Sequence, residues 1–305
     1  MTSKTRAAFI SITVASFLAV IKLITGLLIN SLVVISSAID SIMDIVTSTI
    51  NYYALKASES PPDKEHPFGH HKFESMASFI QSIIIMLSGA YIFYEAYKKF
   101  TGSGIIKNIN SGLYIMVISI IITIVLTFYL NRVAKKENST VLKADALHYE
   151  IDILTNSGII ITLIIIKLTG NEMIDPLISV AIAVYIFYSA AKLNIKVVKE
   201  LVDSEIPESV KTHLIDILNK YEEYHLDFHR LRTRQAGSKK FIDLHLTLCK
   251  KITLEDAHAI ADAIERQVKK EIKDSDITIH IEPCTDKDCP GIENCKKKPK
   301  IENKL

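Results

Sequence analysis

Six apolar runs, each close to the ~20 residues that a helix needs to cross a bilayer core, crowd into the first 200 residues of the chain. They fall at roughly 8–29, 32–55, 77–97, 113–131, 147–168 and 174–193. A water-soluble helical core rarely needs six such runs, so the pattern predicts six membrane-spanning helices. The first run is too long for the apolar part of a cleaved leader, lacks an A-x-A-like site and is followed by five more. Averages alone hide this pattern. A chain of 305 residues that is 49% apolar, with no Trp and a net charge of +2, also suits a soluble enzyme. The near-neutral balance, without a basic stripe interleaved with aromatics, gives no reason to expect a nucleic-acid partner.

Loop charge predicts the orientation. With the N-terminus inside, the inner tail and loops hold Lys4, Arg6, Lys56, Lys64, Lys72, Arg132, Lys135, Lys136 and Lys143, against Lys98, Lys99, Lys107 and Lys167 outside. An even number of spans then returns the C-terminal part to the cytoplasm. The expectation is a multi-pass protein of the cell (inner) membrane with both termini cytoplasmic. The four cysteines, Cys249, Cys284, Cys289 and Cys295, all lie in that C-terminal part, where reduced thiols and no disulfides are expected.

After residue 200 the pattern becomes that of a small α/β unit. ESVKTHLIDILNKYEE (208–223) places Val210, Leu214, Ile215 and Leu218 on one helical face. HRLRTRQAGSKKFIDLHLTL reads as two strands joined by a turn at 237–239, and SDITIHIEPC as a third. Between them, TLEDAHAIADAIERQVKKEI opens with Thr253 as N-cap and Asp256 three residues on, a variant capping box. The order α-β-β-α-β predicts two helices on one face of a three-stranded sheet. A core of about 80 residues is small, so docking against a second copy would help to stabilise it. The expected division is a six-helix domain at 1–203, a cytoplasmic domain at 204–284 and a Cys/Lys-containing tail at 285–305.

Ionisable groups inside a span cost about 2.5–3.5 kcal/mol each on insertion scales. The second run nevertheless carries Asp40 and Asp44 in SSAIDSIMDIV, and the fifth carries His148 and Asp152 in DALHYEIDIL. Each pair has i, i+4 spacing, which sets both side chains on one helix face about 6 Å apart along the axis. Two such helices packed together make a four-ligand site. Three carboxylates and an imidazole suit a divalent ion of borderline softness, zinc first; the lack of thiolate argues against copper(I), and the His against a magnesium or calcium cage. The bland reading, an intramembrane Asp capping a broken helix or pairing with Lys22 of the first span, does not explain two repeated pairs. Because His148 and Asp152 fall at the inner start of their apolar run, helix five is expected to begin near residue 140, facing a wet cavity. The loop PPDKEHPFGHHKFES adds Asp63, His66 and His70, with Pro67 and Gly69 bending the chain; an ordinary solvated loop fits this segment equally well.

Together these residues resemble the cation diffusion facilitator family over nearly the whole chain. The likeness rests on DxxxD in the second span, HxxxD in the fifth, the DxxHPFGHxKxE loop and the LRTRQAG…HL…DAH…IHIEPC tail. It is closest to bacterial zinc/iron-type members, with Asp where many eukaryotic zinc carriers have His. The resemblance implies a homodimeric transporter that exchanges a cytoplasmic divalent ion for protons, with a ferredoxin-like cytoplasmic domain. It implies a transport site of Asp40, Asp44, His148 and Asp152, and a loop site of Asp63, His66 and His70. His71 stands where the family pattern has Gly, which leaves an extra ligand open. It implies a cytoplasmic binuclear site of His229, His245, His258, His280 and Glu282; of these, His280 and Glu282 share a strand face by their i, i+2 spacing. For Cys284, Cys289 and Cys295, metal ligation and a reduced tail without metal both stand open. KKKPK at 296–300 reads as a solvated charge run or a lipid-headgroup contact.

Ligands must shed protons to bind metal, so such a site couples metal to protons; His148, with an unperturbed pKa of ~6.5, is the group nearest neutrality. The expected function is divalent metal efflux, with Zn2+ as transported and structural or regulatory ion and Fe2+, Cd2+, Co2+ or Mn2+ as its rivals. No enzyme activity is expected: an intramembrane metallohydrolase would need an open coordination position and a general base, and no HExxH occurs. A metal sensor or assembly scaffold working through the cytoplasmic domain is the alternative, though it would have little use for three carboxylates in lipid.

Overall fold

The computed structural model describes residues 1–28, 32–101, 113–171, 173–222, 224 and 226–285. The tail beyond 285, with Cys289, Cys295 and KKKPK, lies outside the described residues. The chain divides into two compact units, Met1–Leu201 and a second that begins at Val202.

The first unit is built from α1 (Ser3–Leu28), α2 (Leu32–Ser58), α3 (Lys72–Thr101), α4 (Leu113–Glu137), α5 (Thr140–Thr169) and α6 (Ile174–Leu201). At ~1.5 Å per residue each exceeds the ~30 Å hydrocarbon core. Among the described residues, α1, α3, α4, α5 and α6 are long and apolar enough to cross a membrane. The 27-residue α2 carries the polar groups Asp40, Asp44 and Asn51 in its apolar run: Asn51 is buried in the bundle, Asp44 half-buried and Asp40 exposed. Outward faces are apolar: Phe9, Phe17, Leu28, Phe128 and Leu168 are each more than half exposed, a surface that suits lipid and not water. Inward faces are small. Ala7, Ala8, Ser11, Ala15, Ala19 and Gly26 line the buried side of α1, letting neighbouring backbones approach closely.

The α5 boundaries decide where His148 and Asp152 sit. Ser139 caps the N-terminus, its side chain accepting from Leu142 N, and Gly170 closes the C-terminus at φ 69. The helix therefore starts at Thr140, ahead of the apolar run, and His148 stands more than two turns inside it.

Gly89 marks a close approach of α3 to α6, since a Cβ there would sit 2.9 Å from Ile186 Cγ2. Ile186 is β-branched and fully buried, so it has no room to retreat. Gly89→Ala should therefore destabilise the bundle by about 1–3 kcal/mol of overpacking, more than the helix-propensity gain of roughly 1 kcal/mol. Thermal unfolding in detergent measures this, and a raised midpoint would contradict it.

The second unit follows the order α7 (Glu208–Asn219), β1 (Asp227–Ala236), β2 (Lys239–Leu248), α8 (Leu254–Glu271) and β3 (Ser275–Pro283). The sheet order is β1-β2-β3, antiparallel then parallel, with α8 as the crossover that parallel strands require. Gly237 turns β1 into β2 at φ 57, and Thr253 caps α8 by accepting from Asp256 N at 3.1 Å. Ile242, Leu244, Leu246 and Leu248 on one face of β2 pack against Leu214, Ile217 and Leu218 of α7 and Ile260, Ile264 and Val268 of α8. Ile217 thus joins the buried stripe in which the sequence pattern favoured Ile215, which is half-buried. The i+3 step from Leu214 reaches the same face as the i+4 step. Both helices lie over one sheet face.

Candidate metal centres

Inside the helical unit, α2 and α5 meet along a polar seam. His148 Nε2 lies 2.9 Å from Asp44 Oδ1 and 3.8 Å from Asp152 Oδ2. Two ligand atoms ~2.0–2.1 Å from a tetrahedral ion stand roughly 3.3 Å apart, and these spacings bracket that value. Asp44, His148 and Asp152 form one group of candidate ligands; Asp40, one turn earlier on α2, is exposed and outside it.

One turn along the seam is a second polar cluster that sequence reasoning missed. Asp145 is fully buried. Its carboxylate accepts from Ser11 Oγ at 2.8 Å and Asn51 Nδ2 at 3.0 Å, with Ser48 Oγ at 3.4 Å. The Tyr149 hydroxyl lies 3.1 Å from both serine hydroxyls, and Asn51 also donates to Gln81 Oε1 at 3.1 Å. Burying a carboxylate without donors is prohibitive; here α1 and α2 supply them, and α3 supports the Asn51 amide. With its acceptors committed to these donors, Asp145 serves to fix the rotation of α5 against α2. Its signal was present in the sequence: it lies three residues before His148, on the same helix face.

The α2–α3 loop gathers Asp63, His66 and His70. Asp63 Oδ1 accepts from the backbone N–H of His66 at 2.6 Å and of Glu65 at 2.9 Å, which hold its carboxyl below the usual carboxylate range. The other oxygen is 3.3 Å from His70 Nε2, and the two imidazole rings lie 4.4 Å apart. Gly69 makes the bend at φ 80. The His71 ring packs over it, outside the three-residue group.

In the second unit, register aligns three histidines across the sheet: His229 pairs with His245, and His245 with His280. All three belong to the face away from the helices, opposite Leu244 and Leu246. A bulge between His229 and Arg232, with Arg230 at φ 50, re-aims the end of β1. Glu282 joins the row, with Oε1 2.7 Å from His245 Nδ1 and Oε2 3.3 Å from His229 Nε2. The contact to His245 lowers the Glu282 carboxyl below its ordinary range. Its stabilising effect is therefore present above the unfolded carboxylate pKa and lost as pH falls through the lowered folded value. His280 Nε2 is 3.7 Å from Glu282 Oε1. His258 stands on α8, well exposed, against Asp262 at 3.6 Å. Cys249 is buried and Cys284 half-buried.

Long apolar helices with a carboxylate–imidazole group between two of them define a membrane protein that handles cations. The pattern of the cation efflux transmembrane domain matches residues 8–202, and that of the cation efflux protein cytoplasmic domain matches residues 206–284. The chain belongs to the cation diffusion facilitator family, and it is a cation efflux transporter. Protein p34 of Rickettsia rickettsii is 37% identical over 281 residues, covering 91% of each chain. The cation-efflux pump FieF of Serratia proteamaculans is 32% identical over 279 residues, covering 92% of each. Among solved structures, the metal-bound C-terminal domain of the CzcD transporter from Thermotoga maritima is 29% identical, covering 26% of this chain and 91% of that one, at a TM-score of 0.24.

Proposed function

We propose that the protein exports zinc in exchange for protons by alternating access, with Asp44, His148, Asp152 and Asp40 as the transport site. The observation that carries this reading is the group Asp44–His148–Asp152, joined across α2 and α5 within apolar helices. Asp40 shares the Asp44 face of α2 one turn away, which makes it the candidate for a fourth ligand. Metal and protons take turns on these groups, because carboxylates and imidazole bind metal only when deprotonated. Iron(II), cadmium, cobalt and manganese are the rival substrates; manganese, which prefers oxygen ligands, is the least suited of them to a site that includes imidazole. Zinc flux into proteoliposomes under an imposed pH gradient tests the proposal; flux indifferent to the gradient would refute the exchange.

The loop group Asp63, His66 and His70 fits a second zinc, as does the row His229, His245, His280 and Glu282, with His258 as a further candidate. When bound, zinc at the row would tie three strands together. The helix-free sheet face that carries this row supports pairing with a second copy, and the charge bias of the loops supports cytoplasmic termini. His245→Ala removes the centre of the row. It should lower zinc affinity there at least ~10-fold and weaken dimerisation, while slower transport persists. Zinc titration and sedimentation of the full chain in detergent give the first two, and liposome flux the third.

A further inference from the structure

Lys22 is a cation buried in the helical unit that the proposed cycle leaves unused. It lies on α1 and is only 8% exposed, its side chain enclosed by protein, whereas an intramembrane lysine near a helix end usually snorkels to the interface. Its Nζ donates to Ser41 Oγ at 2.9 Å, and Ser41 is itself 1% exposed. Ser41 sits on α2 next to Asp40 and three residues before Asp44, so the ammonium is anchored beside the candidate transport ligands. Asp44, Asp152 and Asp40 all lie within its electrostatic reach. Ser41 takes one N–H of an ammonium that has three.

Charge counting shows what such a group does. Three ionised carboxylates carry −3, and a divalent ion leaves them at −1. With Lys22 included, the four groups carry −2, which a divalent ion neutralises. A lysine also has a flexible four-carbon stem, so its head can turn from Ser41 toward a neighbouring carboxylate without moving the helix.

We propose that Lys22 is a tethered competitor of the transported metal: its ammonium turns toward the carboxylates when metal leaves and retreats to Ser41 when metal binds, which weakens metal binding and speeds release. The inference rests on the transport site assigned above. It makes Lys22 a positioning residue whose removal tightens binding, the opposite of what loss of a structural or ligating group does.

The test is zinc flux in proteoliposomes, with KM and Vmax measured for the full chain. Lys22→Met should lower KM roughly tenfold and lower Vmax as well, because release slows. Lys22→Arg keeps the charge and should stay close to the parental values. Ser41→Ala removes the resting partner, leaves the ammonium to the carboxylates, and should raise KM. A folded Lys22→Met protein with unchanged or raised KM overturns the proposal. Should that variant not insert, an unchanged or lowered KM in Ser41→Ala does so instead. Asp44→Ala, run alongside, separates the two levels. If it transports at the parental rate, the site itself is wrong; if it is inactive while KM in Lys22→Met is unmoved, the lysine inference alone fails.

Discussion

Asp44→Ala should abolish zinc transport while the protein still inserts and runs as a folded species in detergent. Asp44 supplies the closest contact of the membrane group, 2.9 Å from His148 Nε2. Without it the group retains only His148 and Asp152, both from α5, and no ligand of α2 remains within it. Altering even an outer group around a metal costs 10–100-fold in affinity, so losing a ligand that bridges two helices should reduce flux by more than ~100-fold. The fold should survive, because the helices are held elsewhere. Asp145 keeps its bonds to Ser11 and Asn51, and the core of Ala7, Leu55, Leu130 and Leu142 is untouched. Flux and size-exclusion profile are measured on the same preparation, and parental flux would remove Asp44 from the site.

Replacing His148 with Asp should change which ion is carried. His148 is the one nitrogen ligand in the proposed set, and its Nε2 faces both Asp44 and Asp152. The variant is an all-oxygen site with four carboxylates. Oxygen ligands favour harder ions such as manganese(II), whereas imidazole suits zinc and its neighbours. His148→Asp should therefore lose at least ~10-fold in zinc-over-manganese preference, the scale on which a change around a metal site alters affinity. Its pH profile should also move, because the imidazole has gone. Competition flux with both ions, repeated across a pH series, reads both effects. An unchanged ion ratio together with an unchanged profile would show that His148 is not a ligand.

The candidate pairs were legible in the sequence because their geometry is local. An i, i+4 spacing shares a helix face in any tertiary setting, so Asp40/Asp44 and His148/Asp152 announced two faces before any packing was known. The same holds for His280 and Glu282 on a strand, and for the Thr253 cap. Asp145 shows the limit. Its distance from His148 was plain, but its donors come from Ser11, Ser48 and Asn51, far away in the chain on other helices. No periodicity pairs residues 11 and 145.

The chain by itself thus determined the number of apolar runs, the two-part division of its pattern and the chemistry of the candidate ligands, since each follows from short-range spacing and from what lipid or water tolerates. Tertiary structure decided which candidates converge. It brought Asp44 to His148 and left Asp40 a turn away. It set His229, His245 and His280 in one row through strand register, bulge included, and placed His258 on α8 against Asp262. It also buried Lys22 against Ser41. Convergence depends on helix rotation and strand register. These are set by the packing of distant residues, and a local pattern carries no record of them.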